Sequence, residues 1–318
     1  MRPAVATNGL SHWLPPSLIA KRIELCDEII AILTSTIQTL SPLAPRPMQD
    51  SPRPPERLRH HYEVERELAA RMRASTREER TELFKTLYTE LFERVPDHPR
   101  LTRRETAAAS RDNLESQLRL LRPHFPGTGP RPVLIEFAPG DCRLGGAATQ
   151  YCGKVYGVDI SDQRSPDEIF PDNFELIIYD GYHLDLPDAC ADLAFSYQFL
   201  EHLHPEDVGP HFEMIHRLLK PGGVYVFDTP HRFSGPHDVS RHFGDTLDCF
   251  HFQEWSYREM RELLARHGFR RTAMHRKGRL LTSPLLNALH DGVEQLVGLL
   301  PRPLSARLFQ SVTLSAWK

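Results

Sequence analysis

Short apolar runs alternate with helix-like segments along the second half of the chain. Five of these runs are rich in Val, Ile, Leu, Phe and Ala and are bounded by Pro, Gly and Asp. Such runs are typical of strands buried on both faces. They are Val133–Phe137, Lys154–Val158, Phe174–Tyr179, Ala191–Ser196 and Val224–Asp228. Their alternation with helices predicts right-handed crossovers and an α/β fold, a doubly wound parallel sheet with helices on both faces.

Two further apolar runs, Phe269–Met274 and Val312–Trp317, bring the predicted sheet to seven strands. Ser256–His267 is predicted to be a helix. Leu285–Leu300 is amphipathic, which indicates a lid or packing helix, with binding at a membrane surface as the alternative.

The first 128 residues show a helical pattern instead. Apolar positions at helical spacing predict a helix over Ser17–Leu40, and the proline-rich Ser41–Pro55 predicts an extended linker. Three segments dense in Glu, Arg, Leu and Ala predict further helices: His60–Ser75, Thr76–Val95 and Arg104–Leu121. We therefore divide the chain into an N-terminal helix and linker (1–58), a helical cap (59–128) and an α/β domain (129–318).

The composition of the chain indicates which kinds of partner it binds and in which cellular compartment it works. The chain has 318 residues and a net charge of −3, so it lacks the strongly basic balance of a nucleic-acid-binding protein. Five cysteines without a C-x-x-C pair indicate reduced thiols. No basic segment followed by an apolar one begins the chain, and Ile29–Leu40 is too short to span a bilayer. We expect a cytoplasmic protein without stable membrane insertion.

The run Val133–Phe137 leads directly into Ala138, Pro139 and Gly140. A strand followed by small residues predicts a tight turn whose backbone amides approach a ligand at a helix N-terminus. The next strand ends in Asp159, and a carboxylate at that position is suited to accept hydrogen bonds from both hydroxyls of a ribose. The turn of small residues and Asp159 together predict a site for a nucleoside-containing cofactor.

The glycine spacing argues against a dinucleotide. The G-x-G-x-x-G register falls on Ala138, Gly140 and Arg143, so its first and third glycines are missing. The stretch does match E-x-(G/A)-x-G, beginning at Glu136. On this motif the chain resembles class I S-adenosylmethionine-dependent methyltransferases, with Cys142 standing where many members carry a further glycine.

Three more strings extend the resemblance across roughly residues 131–269. Asp180 begins D-G-x-x-L-x-L-P, similar to the family's adenine-binding loop, and Leu218–Asp228 matches its Pro-Gly-Gly turn and fifth strand. Phe195–His202, FSYQFLEH, follows the fourth strand near the expected methionine part of the cofactor. The resemblance implies a Rossmann-like fold and the cofactor S-adenosyl-L-methionine. The cofactor-binding residues it implies are Glu136, Phe137, Ala138, Gly140, Asp159, Ile160, Asp180, Gly181, Tyr197 and Gln198.

The expected reaction is an in-line displacement at the sulfonium methyl, in which the protein mainly supplies positioning. A hydroxyl acceptor usually requires a general base, and histidine is suited to that role near neutrality. We select His202 first, because it closely follows the fourth strand, and then His231 and His237 in the loop after the fifth strand. For each of the three the alternative is a hydrogen-bonded structural histidine.

A required metal is not expected. Ubiquinone-biosynthesis-type O-methyltransferases show E-x-x-E-H after the fourth strand, and those residues can hold a divalent ion. Here the string begins with Gln198, a poorer ligand for a hard cation than a carboxylate. Glu201 would then orient His202 or bind substrate.

The leading hypothesis is O-methylation of a small-molecule or glycan hydroxyl. Ser234–Phe243 resembles small bacterial methyltransferases of glycan or natural-product assembly, and the N/D-P-P-Y/F string of nucleic-acid amino-methylating enzymes is replaced after the fourth strand. Formation of a carboxyl methyl ester, which needs no base, stays open. So do a nicotinamide-dependent oxidoreductase and an inactive, methyltransferase-like interaction subunit. The N-terminal helices either pack within the chain or form the contact of a homodimer.

Overall fold

Eight strands form one sheet in the computed structural model, which describes residues 53–102, 107–165 and 167–318. The strands are β1 (Val133–Phe137), β2 (Lys154–Asp159), β3 (Phe174–Ile178), β4 (Ala191–Tyr197), β5 (Leu219–Pro230), β6 (Arg271–Arg276), β7 (Arg279–Leu281) and β8 (Ser311–Trp317). Their hydrogen-bonded order is β3-β2-β1-β4-β5-β8-β6-β7. The predicted helix Ser17–Leu40 and most of the predicted linker lie outside the described residues.

Strands β1 to β5 are parallel, and β8 runs antiparallel between β5 and β6. The predicted doubly wound α/β fold is confirmed, and the seven predicted strands are all present. The eighth strand, β7, was not predicted. It is three residues long and follows a tight turn at Lys277 and Gly278, both with positive φ, so it is too short to show an alternating pattern.

Helices flank the sheet on both faces and precede it. They are α1 (Pro55–Ala74), α2 (Arg77–Arg94), α3 (Pro99–Thr102), α4 (Ala107–Leu121), α5 (Arg143–Ala148), α6 (Val208–Leu218), α7 (Tyr257–Arg266), α8 (Pro284–Gly298) and α9 (Arg302–Leu308). Thr76 begins α2 with a capping box in which its hydroxyl accepts from the Glu79 amide. None of the described helices has the length and apolarity needed to cross a bilayer.

The sheet separates two apolar cores, because successive side chains of a strand point to opposite faces. Ile135 and Phe227 belong to the core that contains Phe212 of α6. Leu134 and Val226 belong to the other core, where α4 packs. The sheet is thus covered on both faces, and the carboxyl ends of β1 to β5 meet at one edge.

Helices α1 and α2 pack against each other through a third, smaller core. Leu68, Leu87 and Leu91 are buried there, together with Phe250 from the loop that follows β5. We call α1 and α2 the cap. It lies over the loops at the carboxyl ends of the strands, whereas α4 packs on the sheet itself. The predicted domain boundaries at residues 58 and 128 stay a prediction.

Candidate functional site

The loops after β1 and β4 bend through unusual backbone angles. Ala138, Cys142 and Gln198 have φ values of 52°, 62° and 51°, although none of them is glycine. Residues in this left-handed region are uncommon and concentrate at functional sites, where the surrounding structure holds them. The Ala138 amide donates to the Val158 carbonyl at 2.8 Å, which fixes the first loop against β2. Both loops border the same crevice.

Asp159, at the end of β2, is oriented by backbone amides. Its carboxylate accepts from the amides of Ile160 at 2.7 Å and of Gly140 and Ser161 at 3.3 Å each. Burial raises the pKa of Asp159, and these amides oppose that shift. The carboxylate borders the crevice and has lone pairs left, and its predicted contact with the ribose hydroxyls stays a prediction.

Glu136 lies under the first loop rather than in the crevice. Burial raises its pKa to about 8, with the charge of Asp141 adding to the shift, so the carboxyl is protonated at neutral pH. Its Oε2 has no hydrogen-bond partner among the residues that the structure describes. A Cβ placed on Gly145 of α5 would lie 2.9 Å from that oxygen and 2.6 Å from the Phe174 ring. Gly145, which the motif analysis passed over, is therefore what lets α5 approach the sheet.

The Asp180 side chain bonds within its own loop, and its predicted contact with the purine stays a prediction. Its Oδ1 accepts from the amides of Tyr182 at 2.8 Å and His183 at 2.6 Å, and its Oδ2 lies 2.6 Å from Nδ1 of His183. Burial opposes ionisation, but these bonds prevail and lower the pKa of Asp180 to about 2. Asp180 thus holds the loop in shape, and Gly181 and Tyr182 are the residues that line the crevice.

The crevice continues into a cavity of about 740 Å³, within the range of ligand pockets. Six of the ten predicted cofactor-binding residues line it: Ala138, Asp159, Ile160, Gly181, Tyr197 and Gln198. The other four, Glu136, Phe137, Gly140 and Asp180, are not lining residues, and the Phe137 side chain lies in the apolar core. Their predicted contacts with cofactor stay a prediction.

Aromatic side chains from the cap and from the loop after β5 enclose the rest of the cavity. Sequence reasoning missed this set, because cap residues on a helix show only an amphipathic pattern and the path of a loop cannot be predicted from sequence. The residues are Phe84, Tyr88 and Phe92 of the cap and Phe250 and Phe252 of the loop. Two predicted histidines, His202 and His237, also line the cavity. The arrangement suits an acceptor with an apolar or sugar-like face beside polar groups.

His202 is held by one ring nitrogen. Its Nδ1 donates to the Phe250 carbonyl at 3.0 Å, which leaves Nε2 as the nitrogen with a lone pair. Burial lowers the pKa of His202 to about 3, so the imidazole is neutral under ordinary conditions.

His237 is bound to a carboxylate that sequence reasoning did not find. The backbone amide and Nδ1 of His237 lie 3.0 and 3.2 Å from Oε1 of Glu254, and Nε2 lies 3.0 Å from the Ser234 hydroxyl. Glu254 also accepts from Nδ1 of His251 at 2.8 Å. Burial opposes ionisation of Glu254, but the two histidines outweigh it and lower its pKa to about 2.

His231 does not belong to the cavity, so its predicted role as a base is not supported. The side chain is fully buried. Its Nε2 bonds Oε1 of Glu294 at 2.7 Å, and its Nδ1 accepts from the Phe233 amide at 3.1 Å. Both ring nitrogens are thus used in joining the loop after β5 to α8.

Comparison with known proteins agrees with this geometry. Residues 135–227 match the family model described as a methyltransferase domain. A curated protein of Mycolicibacterium smegmatis, described as a "Probable S-adenosylmethionine-dependent methyltransferase", is 38% identical over 88 residues. That match covers 27% of this chain and 31% of the relative, so the chain spans about a third of the curated protein that it matches.

Solved structures with a similar arrangement were also found. A SAM-dependent methyltransferase from Archaeoglobus fulgidus matches with 18% identity and a TM-score of 0.46, over 66% of this chain and 96% of that one. A Burkholderia thailandensis 1,6-didemethyltoxoflavin-N1-methyltransferase, solved with S-adenosylhomocysteine, matches with 19% identity and a TM-score of 0.43, over 66% and 82% of the chains.

The family model covers most of β1 to most of β5, and the loops after β1 to β4 border the cavity. The curated relative is described in the same terms. The protein thus contains a class I S-adenosylmethionine-dependent methyltransferase domain, and the cofactor of that family is S-adenosylmethionine.

Proposed function

We propose that the chain transfers the methyl group of S-adenosylmethionine to a hydroxyl of a small molecule or glycan, as in natural-product assembly. The observation that carries this proposal is the single cavity that extends from Asp159 to His202 and His237. A cofactor held at Asp159 and an acceptor held at the histidines would share one space.

Asp159 is proposed to accept hydrogen bonds from the ribose hydroxyls, while the backbone at Ala138 and Gly181 approaches the rest of the cofactor. S-adenosylmethionine supplies an activated methyl group, because its sulfonium is already a charged leaving group. The protein then contributes mainly by holding the acceptor oxygen in line with that methyl. This assigns the cavity walls a positioning role.

His202 is the first choice to receive the hydrogen bond of the acceptor hydroxyl. Its Nδ1 is committed to the Phe250 carbonyl, so its Nε2 has the lone pair. Its low pKa makes it a weak base but keeps it in the neutral form that can accept a hydrogen bond. His237 is the second choice, because it lines the same cavity and its ring is oriented by the Glu254 carboxylate.

Methyl transfer is tested with isotopically labelled S-adenosylmethionine and panels of sugar, phenol, polyketide and carboxylic-acid acceptors. We expect labelled product with a hydroxyl acceptor, stable to mild alkali. Product that releases methanol in alkali would support the carboxyl alternative instead. Label transfer to neither class by a protein that binds S-adenosylhomocysteine would favour the interaction-subunit alternative.

Substitution separates the two histidines. His202→Ala is expected to keep the affinity for S-adenosylhomocysteine and to lose turnover, and His237→Ala is the matched comparison from the same cavity. Unchanged turnover in His202→Ala would exclude it as the base. Thermal-shift titration with NAD(P) beside S-adenosylhomocysteine tests the oxidoreductase alternative, since only a true ligand stabilises the folded state by mass action.

Homodimer formation and a cytoplasmic location are retained as proposals. The helix predicted for the dimer contact lies outside the described residues. The cysteines at 142, 152, 190 and 249 are free thiols, which supports a reducing compartment. Sedimentation of the full chain measures the oligomeric state.

A further inference from the structure

Three side chains with metal-binding chemistry meet beside the cavity. Glu201 and His202 lie in a short 3-10 turn after β4, and His251 comes from the loop after β5. A Glu201 carboxylate oxygen and one ring nitrogen from each histidine all lie within 4.8 Å of one another. We propose that these three residues bind a divalent transition-metal ion.

Glu201 carries the observation that most favours a cation at this place. The residue is 0% exposed, and its Oε2 accepts from the Thr229 hydroxyl at 2.9 Å. Its Oε1 is buried and has no hydrogen-bond partner in the described part of the chain. A buried carboxylate oxygen without a partner is costly, so a cation at this oxygen would remove the cost.

Both imidazoles are oriented as metal-binding histidines usually are. Nδ1 of His202 donates to the Phe250 carbonyl at 3.0 Å, and Nδ1 of His251 bonds the Glu254 carboxylate at 2.8 Å. In metal sites the nitrogen that does not bind the ion commonly donates to such a carbonyl or carboxylate. Nε2 is therefore the nitrogen that each ring has left for a ligand.

The donor set selects the kind of ion. Two imidazoles and one carboxylate suit Zn²⁺, Fe²⁺ or Co²⁺, whereas Mg²⁺ and Ca²⁺ prefer oxygen ligands. Ligands at about 2.0–2.2 Å from an ion are roughly 3–3.5 Å apart. The three ligand atoms lie within 4.8 Å of one another, so binding an ion would draw them closer together.

Gln198 takes no part in this site, although its amide was the reason why the sequence predicted no required metal. Its Nε2 donates to Oδ1 of Asp228 at 2.7 Å. The third ligand comes instead from His251, 49 residues after His202 in the chain. That residue could not have been identified by motif spacing.

A second cluster of similar composition serves as a comparison. His61, Glu65 and His98 also come together, but His61 bonds Arg53 through Nδ1 and Glu65 through Nε2. Glu65 uses its other oxygen for the Phe250 amide at 3.1 Å. A neighbouring guanidinium and satisfied ligand atoms make this cluster a poorer cation site.

An ion at Glu201, His202 and His251 would border the cavity, because His202 lines its wall. If the proposed methyl transfer holds, the ion would polarise the acceptor hydroxyl and take over the part assigned to the His202 nitrogen. The binding site itself does not depend on the reaction. It is therefore tested by binding alone.

The experiment titrates chelator-treated, full-length protein with Zn²⁺ by calorimetry and with Co²⁺ by visible absorption. We expect one ion per chain. Glu201→Gln and His251→Ala should each lose binding at that site by more than 100-fold. Glu254→Gln, which weakens the bond that orients His251 and also the bond to His237, should lose about 10–100-fold. His98→Ala, from the comparison cluster, should bind as the parent does.

The affinity for S-adenosylhomocysteine is measured on the same samples and shows whether each variant is folded. It also separates the two hypotheses, because a protein can bind S-adenosylhomocysteine without binding the metal ion. Absence of saturable binding would overturn the proposal. The positive charge that balances the carboxylates of Glu201, Asp238 and Glu254 would then be a proton on His251. Parent-like binding by both Glu201→Gln and His251→Ala would overturn it as well. Loss confined to His98→Ala would place the ion in the other cluster.

Discussion

Nη2 of Arg80 lies 3.0 Å from Oδ1 of Asp207, and the Arg80 side chain is 1% exposed. Arg80 belongs to cap helix α2, and Asp207 directly precedes α6 on the sheet. Nε of Arg80 also bonds the Tyr182 hydroxyl at 2.9 Å. One buried cation thus joins the cap, the loop after β3 and the start of α6, which form the walls of the cavity.

Arg80→Ala should destabilise the fold by about 3–5 kcal/mol, because it leaves the buried Asp207 carboxylate without its cationic partner. The free energy of unfolding from urea titration measures this. Arg94→Ala is the control on the same helix, since Arg94 and its partners Glu67 and Glu90 are each about a third exposed or more, and it should cost less than about 1 kcal/mol. Equal costs for the two variants would contradict the joining role of Arg80.

Gly181 should not tolerate a side chain, for two separable reasons. Its φ is +92°, and a Cβ there would lie 2.7 Å from Cε2 of Phe84. Gly181→Ala is expected to weaken S-adenosylhomocysteine binding at least tenfold, and adding Phe84→Ala should restore part of the loss by removing the clash while leaving the backbone strain. Calorimetric titration of both single variants and the double variant gives the coupling. Additive effects would show that Phe84 does not rest on Gly181 in solution.

Stability should fall with rising pH through the ionisation of Glu136. Burial raises the pKa of Glu136 from 4.5 to about 8, so the folded state favours the protonated carboxyl. Its contribution is complete below about pH 4.5 and is lost as the pH rises through 8. Glu136→Gln cannot ionise at this position. The free energy of unfolding of Glu136→Gln, minus that of the parent, should therefore increase by a few kcal/mol between pH 5 and pH 9, the order of magnitude expected from the raised pKa of Glu136. A pH-independent difference in the free energy of unfolding would show that the carboxyl ionises freely in the folded protein.

Much of the fold was predictable because its signals are local. The apolar run at Val133–Phe137 has the same bounds in the structure, and Asp159 ends its strand beside the cavity as expected. Asp180 bonds the amides two and three residues ahead of it, a local turn that short acidic side chains commonly form, and its predicted contact with the purine stays a prediction. The sequence pattern does not distinguish that turn from a side chain aimed at a ligand.

The histidine partners were not predictable, because they depend on how distant loops return. Glu254 is 17 residues from His237, and Glu294 is 63 residues from His231. No periodicity connects these pairs, and only the packed path of the loop after β5 brings them together. The cap's aromatic lining of the cavity has the same origin, since a helix pattern predicts a buried face without saying what that face encloses.

The central claim is that Asp159 holds the nucleoside of S-adenosylmethionine at the mouth of this cavity. Its most direct test is the affinity of S-adenosylhomocysteine for the parent, Asp159→Ala and Asp162→Ala by calorimetry. Asp162 is the control, because it lies three residues away and pairs with Arg164 at the surface.

We predict one binding site in the parent. Asp159→Ala should lose about 1.5–3 kcal/mol of binding free energy, which is roughly 10- to 150-fold in affinity, and Asp162→Ala should bind with the affinity of the parent. A folded parent that fails to bind at millimolar ligand, or an Asp159→Ala variant that binds as tightly as the parent, would contradict the account.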